Sequence, residues 1–258
     1  MRSSAVAVLV LAIGAPGAFA ADLKPATAQA FDRYIRQTGQ RLNARKTFLW
    51  ADESPERKRR VRNGEVVVEP TGAKPVIDVT GGLIHDWVGA AFIPGVTLAA
   101  TLEHVRDYDH ARTIHHEVMA SHILSHNGND YRVYMRLIKK KVLTVVLDTE
   151  HDIHYFSIDA THCRSQSRTI KIAEVDNPGK PGEHELRPGT GHGFLWRLDT
   201  YWRFQERDGG TWMECEAISL TRDIPTGLGW IVEPIIRSLP KESLENTLRE
   251  TAAALARR

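Results

Sequence analysis

The sequence predicts an α+β fold: a curved antiparallel sheet closed over a long C-terminal helix, with an extra helix near the N-terminus. Three observations carry that reading. From Glu117 to Leu220 the chain is strand-like almost without interruption, one hairpin in that stretch has a single dry face, and the segment Leu228–Ser238 is too apolar to stand in water. A sheet with one dry face and a helix that needs cover each supply what the other lacks.

Composition narrows the class. The 258 residues hold 34 Lys and Arg against 32 Asp and Glu, a formal net charge of +2, and 42% of them are hydrophobic. That mixture is globular and excludes disordered, collagen-like and coiled-coil chains. So small a net charge makes no electrostatic case for nucleic acid as a partner. The length allows one large domain or two small ones, and two cysteines build no disulfide scaffold.

Residues 1–20 read as a secretory signal. Arg2 is the basic start, Ala5–Ile13 is an apolar run, Pro16-Gly17 breaks it, and Ala18-Phe19-Ala20 has the small-x-small form of a cleavage site. The apolar run is shorter than the ~20 residues a spanning helix needs. The expectation is an exported protein, periplasmic or secreted, that begins near Ala21. An oxidising compartment makes a Cys163–Cys215 bridge conceivable. Burial as two small hydrophobes is the alternative, and the thiol of Cys215 has a place ready on the dry face described below.

Thr27 can cap a helix whose apolar positions are Phe31, Tyr34, Ile35, Thr38 and Leu42. Strand-like runs follow at Thr47–Ala51 and Glu65–Glu69, separated by the basic stretch Glu56–Arg62, read as a solvated loop. Leu83–Ile93 is a third run, stopped by Pro94-Gly95. Thr97 opens a short helix with Leu98, Leu102 and Val105 on one side. The long strand region then comprises Glu117–Ser125, Tyr131–Lys139, Val142–Thr149, His154–Ile158, Thr161–Val175, Phe194–Glu206 and Thr211–Leu220. Asp176–Gly193, rich in Gly and Pro, reads as a long mobile loop.

The turn at Asp208-Gly209-Gly210 fixes the parity of the last hairpin. It sets Trp196, Leu198, Trp202 and Phe204 on one face with Met213, Cys215 and Ala217. Arg197, Asp199, Arg203, Gln205, Glu214 and Glu216 take the other face, where cross-strand ion pairs in water are expected. Beyond Leu228 two helical segments are expected. The first is apolar nearly all round, and the second opens at Pro240 with Leu244, Leu248, Thr251, Ala252 and Leu255 on one side.

The stretch Leu98–Leu137 carries a helix through Leu102, then Asp107-Tyr108, His116-Glu117-Val118, Ser121 and a strand after Gly128. Trp202-Arg203-Phe204 to Ile224-Pro225 leads into the apolar helix. Together these resemble the helix-grip fold of the START and birch-pollen-allergen (SRPBCC) superfamily, which includes polyketide cyclase-like proteins. The resemblance spans Leu83–Leu255 on degenerate motifs, and His116 stands where proline is frequent in those families. It divides the chain into a signal (1–20), an N-terminal helix and strand extension (21–82) and a START-like ligand-binding domain (83–258). It implies a deep apolar cavity between sheet and C-terminal helix for a hydrophobic small molecule of lipid, sterol or aromatic polyketide type. No catalytic residue and no cofactor carries over from it.

Other chemistry is weaker. His115, His116, His122, His126, His151 and His154 invite a metal, but no HExxH or CxxC spacing assembles three or four ligands. No hydrolase elbow is present, and Gly189–Gly193 precedes a strand rather than opening a helix, as a phosphate loop would. Glu214 and Glu216 could do acid–base work only if a cavity enclosed them.

The expected ligand-binding set is therefore Trp196, Leu198, Trp202, Phe204, Met213 and Cys215 on the sheet, with Trp230 and Ile231 on the covering helix. Transient contact with a membrane surface and the oligomeric state stay open. Carrier and cyclase or dehydratase enzyme are told apart by the lining. A uniformly apolar wall suits a carrier, and a buried acid or base pointing inward suits an enzyme. An interaction module with a filled core is the third class.

Overall fold

In the computed structural model the described residues are 22–140, 144–192, 194–223 and 229–257, the last without the side chains of 229–237. The expected signal and its cleavage site, and the ligand-binding roles of Trp230 and Ile231, lie outside what is described.

The sheet is a meander. Strands β4 (Val118–Asn127), β5 (Asp130–Lys140), β6 (Thr144–Ser157), β7 (His162–Asp176), β9 (Arg197–Arg207) and β10 (Gly210–Arg222) pair antiparallel with their neighbours, and β10 pairs back to β3 (Gly82–Pro94). Upstream, β1 (Val67–Pro70) and β2 (Val76–Val79) both add to the free edge of β3, and β8 (His184–Glu185) adds to β7. Helix α3 (Leu98–Val105) follows β3, capped by Thr97, whose hydroxyl accepts from the Ala100 N–H at 3.2 Å. Helix α4 (Gly229–Leu255) lies against β3, β1, β10 and α3. That sheet order with a gripped terminal helix is an α+β helix-grip fold.

Gly89 brings α4 close to the sheet: a Cβ there would sit 2.6 Å from Leu248 Cδ1 and 2.8 Å from Val68 Cγ2. Met213, Cys215, Leu244, Leu248 and Phe204 pack around that contact. Cys163 and Cys215 are buried free thiols.

The hairpin register agrees with the parity argument: Phe204 faces Met213, Trp202 faces Cys215 and Arg203 faces Glu214. The opposite face, however, is not wet. Asp199, Arg203, Glu214 and Glu216 are buried, as is Asp86 on β3. Helix α1 (Pro25–Ala44) and the segment after it cover them, presenting Phe31, Thr38 and Leu42 inward. Parity divides side chains into two faces but does not say which face another element covers. Trp196 belongs to this outer layer, packed with Phe31, Ile84, Ile218 and Leu220. It stands just before β9, where the alternation no longer binds it.

The buried charges are met from α1 and its continuation. Arg45 donates to Glu214 at 2.7 Å, and the Trp50 N–H donates to the same carboxylate. Arg41 donates to Glu216 at 2.5 Å, Tyr34 donates to Asp86 at 2.8 Å, and Arg203 donates to the carbonyls of Leu42 and Phe48. This network replaces the expected strand Thr47–Ala51 with a 3-10 turn, Trp50–Glu53, because the Trp50 N–H is turned to a side chain and not to a ladder partner.

Four further expectations are corrected. Glu56–Arg62 is helical: α2 (Pro55–Arg62) is capped by Ser54, starts on Pro55 and buries Val61. The two expected runs after Lys141 join, over the described residues, into one strand, β6, from Thr144 to Ser157, because the polar residues between them continue the alternation between faces. The loop after β7 is tied down through Glu183 on Arg136 at 2.7 Å and Glu185 on Lys171 at 3.0 Å. The two C-terminal segments are one helix that runs through Pro234 and Pro240. Each proline removes only its own N–H, and Leu244, Leu248 and Leu255 anchor the helix in the core beyond them.

Candidate functional site

Between the concave face of the sheet and α4 lies a cavity of about 280 Å³. Successive strands supply its walls by alternation. Leu198, Thr200, Trp202 and Phe204 come from β9, Ser165 and Ser167 from β7, His151, Ile153 and Tyr155 from β6, and Met135, Leu137 and Lys139 from β5. Helix α4 contributes Ser243, Thr247, Glu250 and Thr251, which follow helical spacing and so share one side.

The cavity is graded along the strands. At one end Trp202 and Phe204 lie stacked, ring centroids 5.7 Å apart and 4° from parallel. Beside them the Tyr108 and Tyr155 hydroxyls share a hydrogen bond of 2.7 Å. Both phenols are buried, and desolvation pushes both well above the usual tyrosine range.

At the far end Lys139 pairs with Glu117 and donates to Ser243 Oγ at 2.6 Å. Glu250 there receives His116 and, at 3.3 Å, His115. Burial holds the Lys139 ammonium and the His115 imidazolium below their ordinary values, against the pull of Glu117 and Glu250. In register Val133 faces His151, and Lys139 is six residues further along β5, about 20 Å at the rise of a strand.

His151 sits between the two ends. The residue is 6% exposed, and its Nε2 is 2.9 Å from Thr149 Oγ1, which itself donates to the Met135 carbonyl at 2.9 Å. Burial lowers its pKa to about 4, so the imidazole is neutral near pH 7.

Leu198, Trp202 and Phe204 of the expected set line the cavity. Met213 and Cys215 share that face but are enclosed beneath α4 in the packed core, and Trp196 is on the outer face. The resemblance implied an apolar wall, whereas the wall is mixed. Most of the remaining lining was not anticipated from the sequence, among it the ionisable side chains His151, Lys139, Glu117, His115 and Glu250. The signal for His151 was present in its parity with Ile153 and Tyr155, once β6 is read as one strand.

The other histidines have local partners: His122 packs on Tyr134, His126 stacks on Tyr131 at 4.1 Å, and His154 meets Asp130 at 2.5 Å. Among the described residues no three His, Cys, Asp or Glu converge as metal ligands would. No described helix is long and apolar enough to cross a membrane.

No family model and no curated protein matches the chain. Solved structures do. A protein of Thermus thermophilus is similar at 13% identity over 65% of this chain and 94% of that one, with a TM-score of 0.47. The STAR-related lipid transfer protein of Xanthomonas axonopodis is similar at 15% identity over 71% and 98%, with a TM-score of 0.43. The Zhui aromatase/cyclase from Streptomyces is similar at 11% identity over 68% and 95%, with a TM-score of 0.40. These are likenesses in the course of the chain. The fold assignment stands on the strand order and α4.

Proposed function

We propose that this protein binds an elongated amphipathic small molecule between the sheet and α4, apolar where it meets Trp202 and Phe204 and polar where it meets Lys139 and Glu250. One observation carries the reading: the cavity of about 280 Å³ is graded, with stacked rings at one end and the ionic group at the other. Apolar surface laid on the rings gains ~25 cal/mol per Å² removed from water. A charged or strongly polar ligand group reaching Lys139 would keep hydrogen-bonding partners that an all-apolar cavity denies it.

Organic extraction of the purified protein followed by mass spectrometry tests this directly. An amphipathic compound present in stoichiometric amount is expected, and its absence from well-folded protein argues for an empty or solvent-filled cavity. In parallel, anilinonaphthalene sulfonate should quench tryptophan emission. Trp202→Ala should lose most of that quenching and weaken probe binding about tenfold, whereas Trp202→Phe should retain the affinity and lose the signal. Equal quenching in wild type and Trp202→Ala would remove Trp202 from the site.

A second reading, a cyclase or dehydratase acting on a bound polyketide-like substrate, is favoured by the buried His151 on the lining. Binding is preferred because an imidazole held near 4 is a weak base at neutral pH. The extract distinguishes them: a carrier returns the compound unchanged after incubation, an enzyme a product.

Export is the proposed location, supported by Arg2, the apolar run and Ala18-x-Ala20. N-terminal sequencing of protein from the native host is expected to start near Ala21. Intact Met1 on cytosolic protein would overturn it.

A further inference from the structure

We infer that His151 is a hydrogen-bond acceptor built into the cavity wall, and that the bound molecule presents a hydroxyl group to its Nδ1 at a point between its aromatic and polar ends. The inference rests on the binding function proposed above and deepens it from an amphipathic ligand to a hydroxylated one.

The argument is an accounting of protons. Thr149 Oγ1 donates its one hydrogen to the Met135 carbonyl at 2.9 Å. It can then only accept from His151, whose Nε2 lies 2.9 Å away, so Nε2 carries the ring hydrogen. A neutral imidazole has one hydrogen on its two nitrogens, which leaves Nδ1 with a lone pair. Nδ1 has no protein hydrogen-bond partner among the described residues, and the ring is part of the cavity lining. Burial keeps the ring neutral near pH 7 and so preserves that lone pair.

The arrangement has a direction. A carbonyl, carboxylate or ether oxygen placed at Nδ1 would set lone pair against lone pair, and an alkyl group would leave a buried acceptor unmet. A hydroxyl satisfies it. The register places the group: His151 is level with Val133, between the Trp202–Phe204 rings and Lys139. The ligand class is therefore an elongated, largely apolar molecule with an alcohol, phenol or enol in its body. A polar group at one extremity alone does not meet this requirement.

β-Naphthol and its methyl ether, titrated separately against the protein by quenching of tryptophan emission, provide the test. Wild type should prefer the naphthol at least tenfold, and His151→Leu should bring the two affinities to within twofold by weakening only the naphthol. Thr149→Val keeps the ring but removes the acceptor that orients it, so the preference should fall severalfold. That variant carries the test where His151→Leu does not fold.

NMR of the imidazole nitrogens in the wild-type protein should find the hydrogen of His151 on Nε2. The outcomes separate. If neither probe binds wild type, the binding function itself fails and the inference falls with it. If both bind equally, or a folded variant keeps the tenfold preference, or the hydrogen is on Nδ1, the cavity reading stands and the acceptor role of His151 is overturned.

Discussion

Glu214→Ala should destabilise the protein by ~3–5 kcal/mol, measured as the fall in free energy of denaturant unfolding, the size expected when one partner of a buried ion pair is removed. Glu214 is 1% exposed, accepts from Arg45 at 2.7 Å and also receives the Trp50 N–H. Its removal takes the close carboxylate from the Arg45 guanidinium, whose side chain is 8% exposed, leaving it Glu53 at 3.6 Å and the Thr47 and Phe48 carbonyls, and it strands a backbone donor in the 3-10 turn. Replacing both partners by apolar residues, Arg45→Met with Glu214→Leu, should restore much of the loss, because what costs is the uncompensated charge and not the absence of the pair. A single substitution costing less than ~1 kcal/mol would mean that water reaches this layer and α1 does not seal it.

Raising the pH from 5 to 8 should weaken the wild-type protein relative to Glu216→Gln, the buried imidazoles of His151 and His115 acting in the opposite sense but equally in both proteins. Glu216 and Asp86 are each 1% exposed and share Arg41, which is 2.5 Å from Glu216 and 3.7 Å from Asp86. Desolvation is the largest cause of both shifts. It pushes Glu216 up to about 7 and raises Asp86 as well, with Arg41 pulling the other way.

A carboxyl whose folded pKa lies above its unfolded one binds a proton more tightly when folded. The stability it contributes is whole below the unfolded value of 4.5 and is lost as pH rises through about 7. For one group over that window the loss is up to about 3 kcal/mol. Glu216→Gln keeps the shape and one hydrogen-bond acceptor without an ionisable proton. It should therefore be the more stable protein at pH 8 and nearly equal to wild type at pH 5. A wild-type stability that does not fall relative to Glu216→Gln between pH 5 and 8 would place the negative charge of the pair in water or on Arg41 outright. Asp199, held up to about 7 by burial on the same face, adds to the slope in the same sense.

Both effects arise on a face that hairpin parity assigned to solvent, and this marks the boundary of what local pattern contains. Alternation and turn chemistry are short-range properties. They were sufficient for Phe204 opposite Met213, for Trp202 opposite Cys215 and for the Thr97 cap. They were sufficient too for the amphipathic end of the terminal helix, whose Leu244, Leu248 and Leu255 pack into the core, and hence for the fold class. They failed where a polar side chain was compensated by a residue far away in the chain. Arg45 and Glu214 are separated by 169 positions, and no window of sequence contains both. The run Thr47–Ala51 has strand-like composition, yet its Trp50 N–H satisfies that distant carboxylate and the backbone turns.

The candidate site divides in the same way. Leu198, Trp202 and Phe204 were legible because they are apolar, bulky and in phase. His151, Lys139 and Glu117 were not, because a polar residue in phase with apolar neighbours reads locally as a break in a strand. Only the assembled sheet shows it pointing inward. The sequence by itself determined the strand order's raw material, the apolar face of the last hairpin and the need to cover it with a helix. The tertiary structure decided that α1 dries the second face and that the space under α4 is graded from rings to charges. The reason is physical: burial of a charge is tolerated only where a partner meets it, and partners are brought together by the fold and not by proximity in the chain.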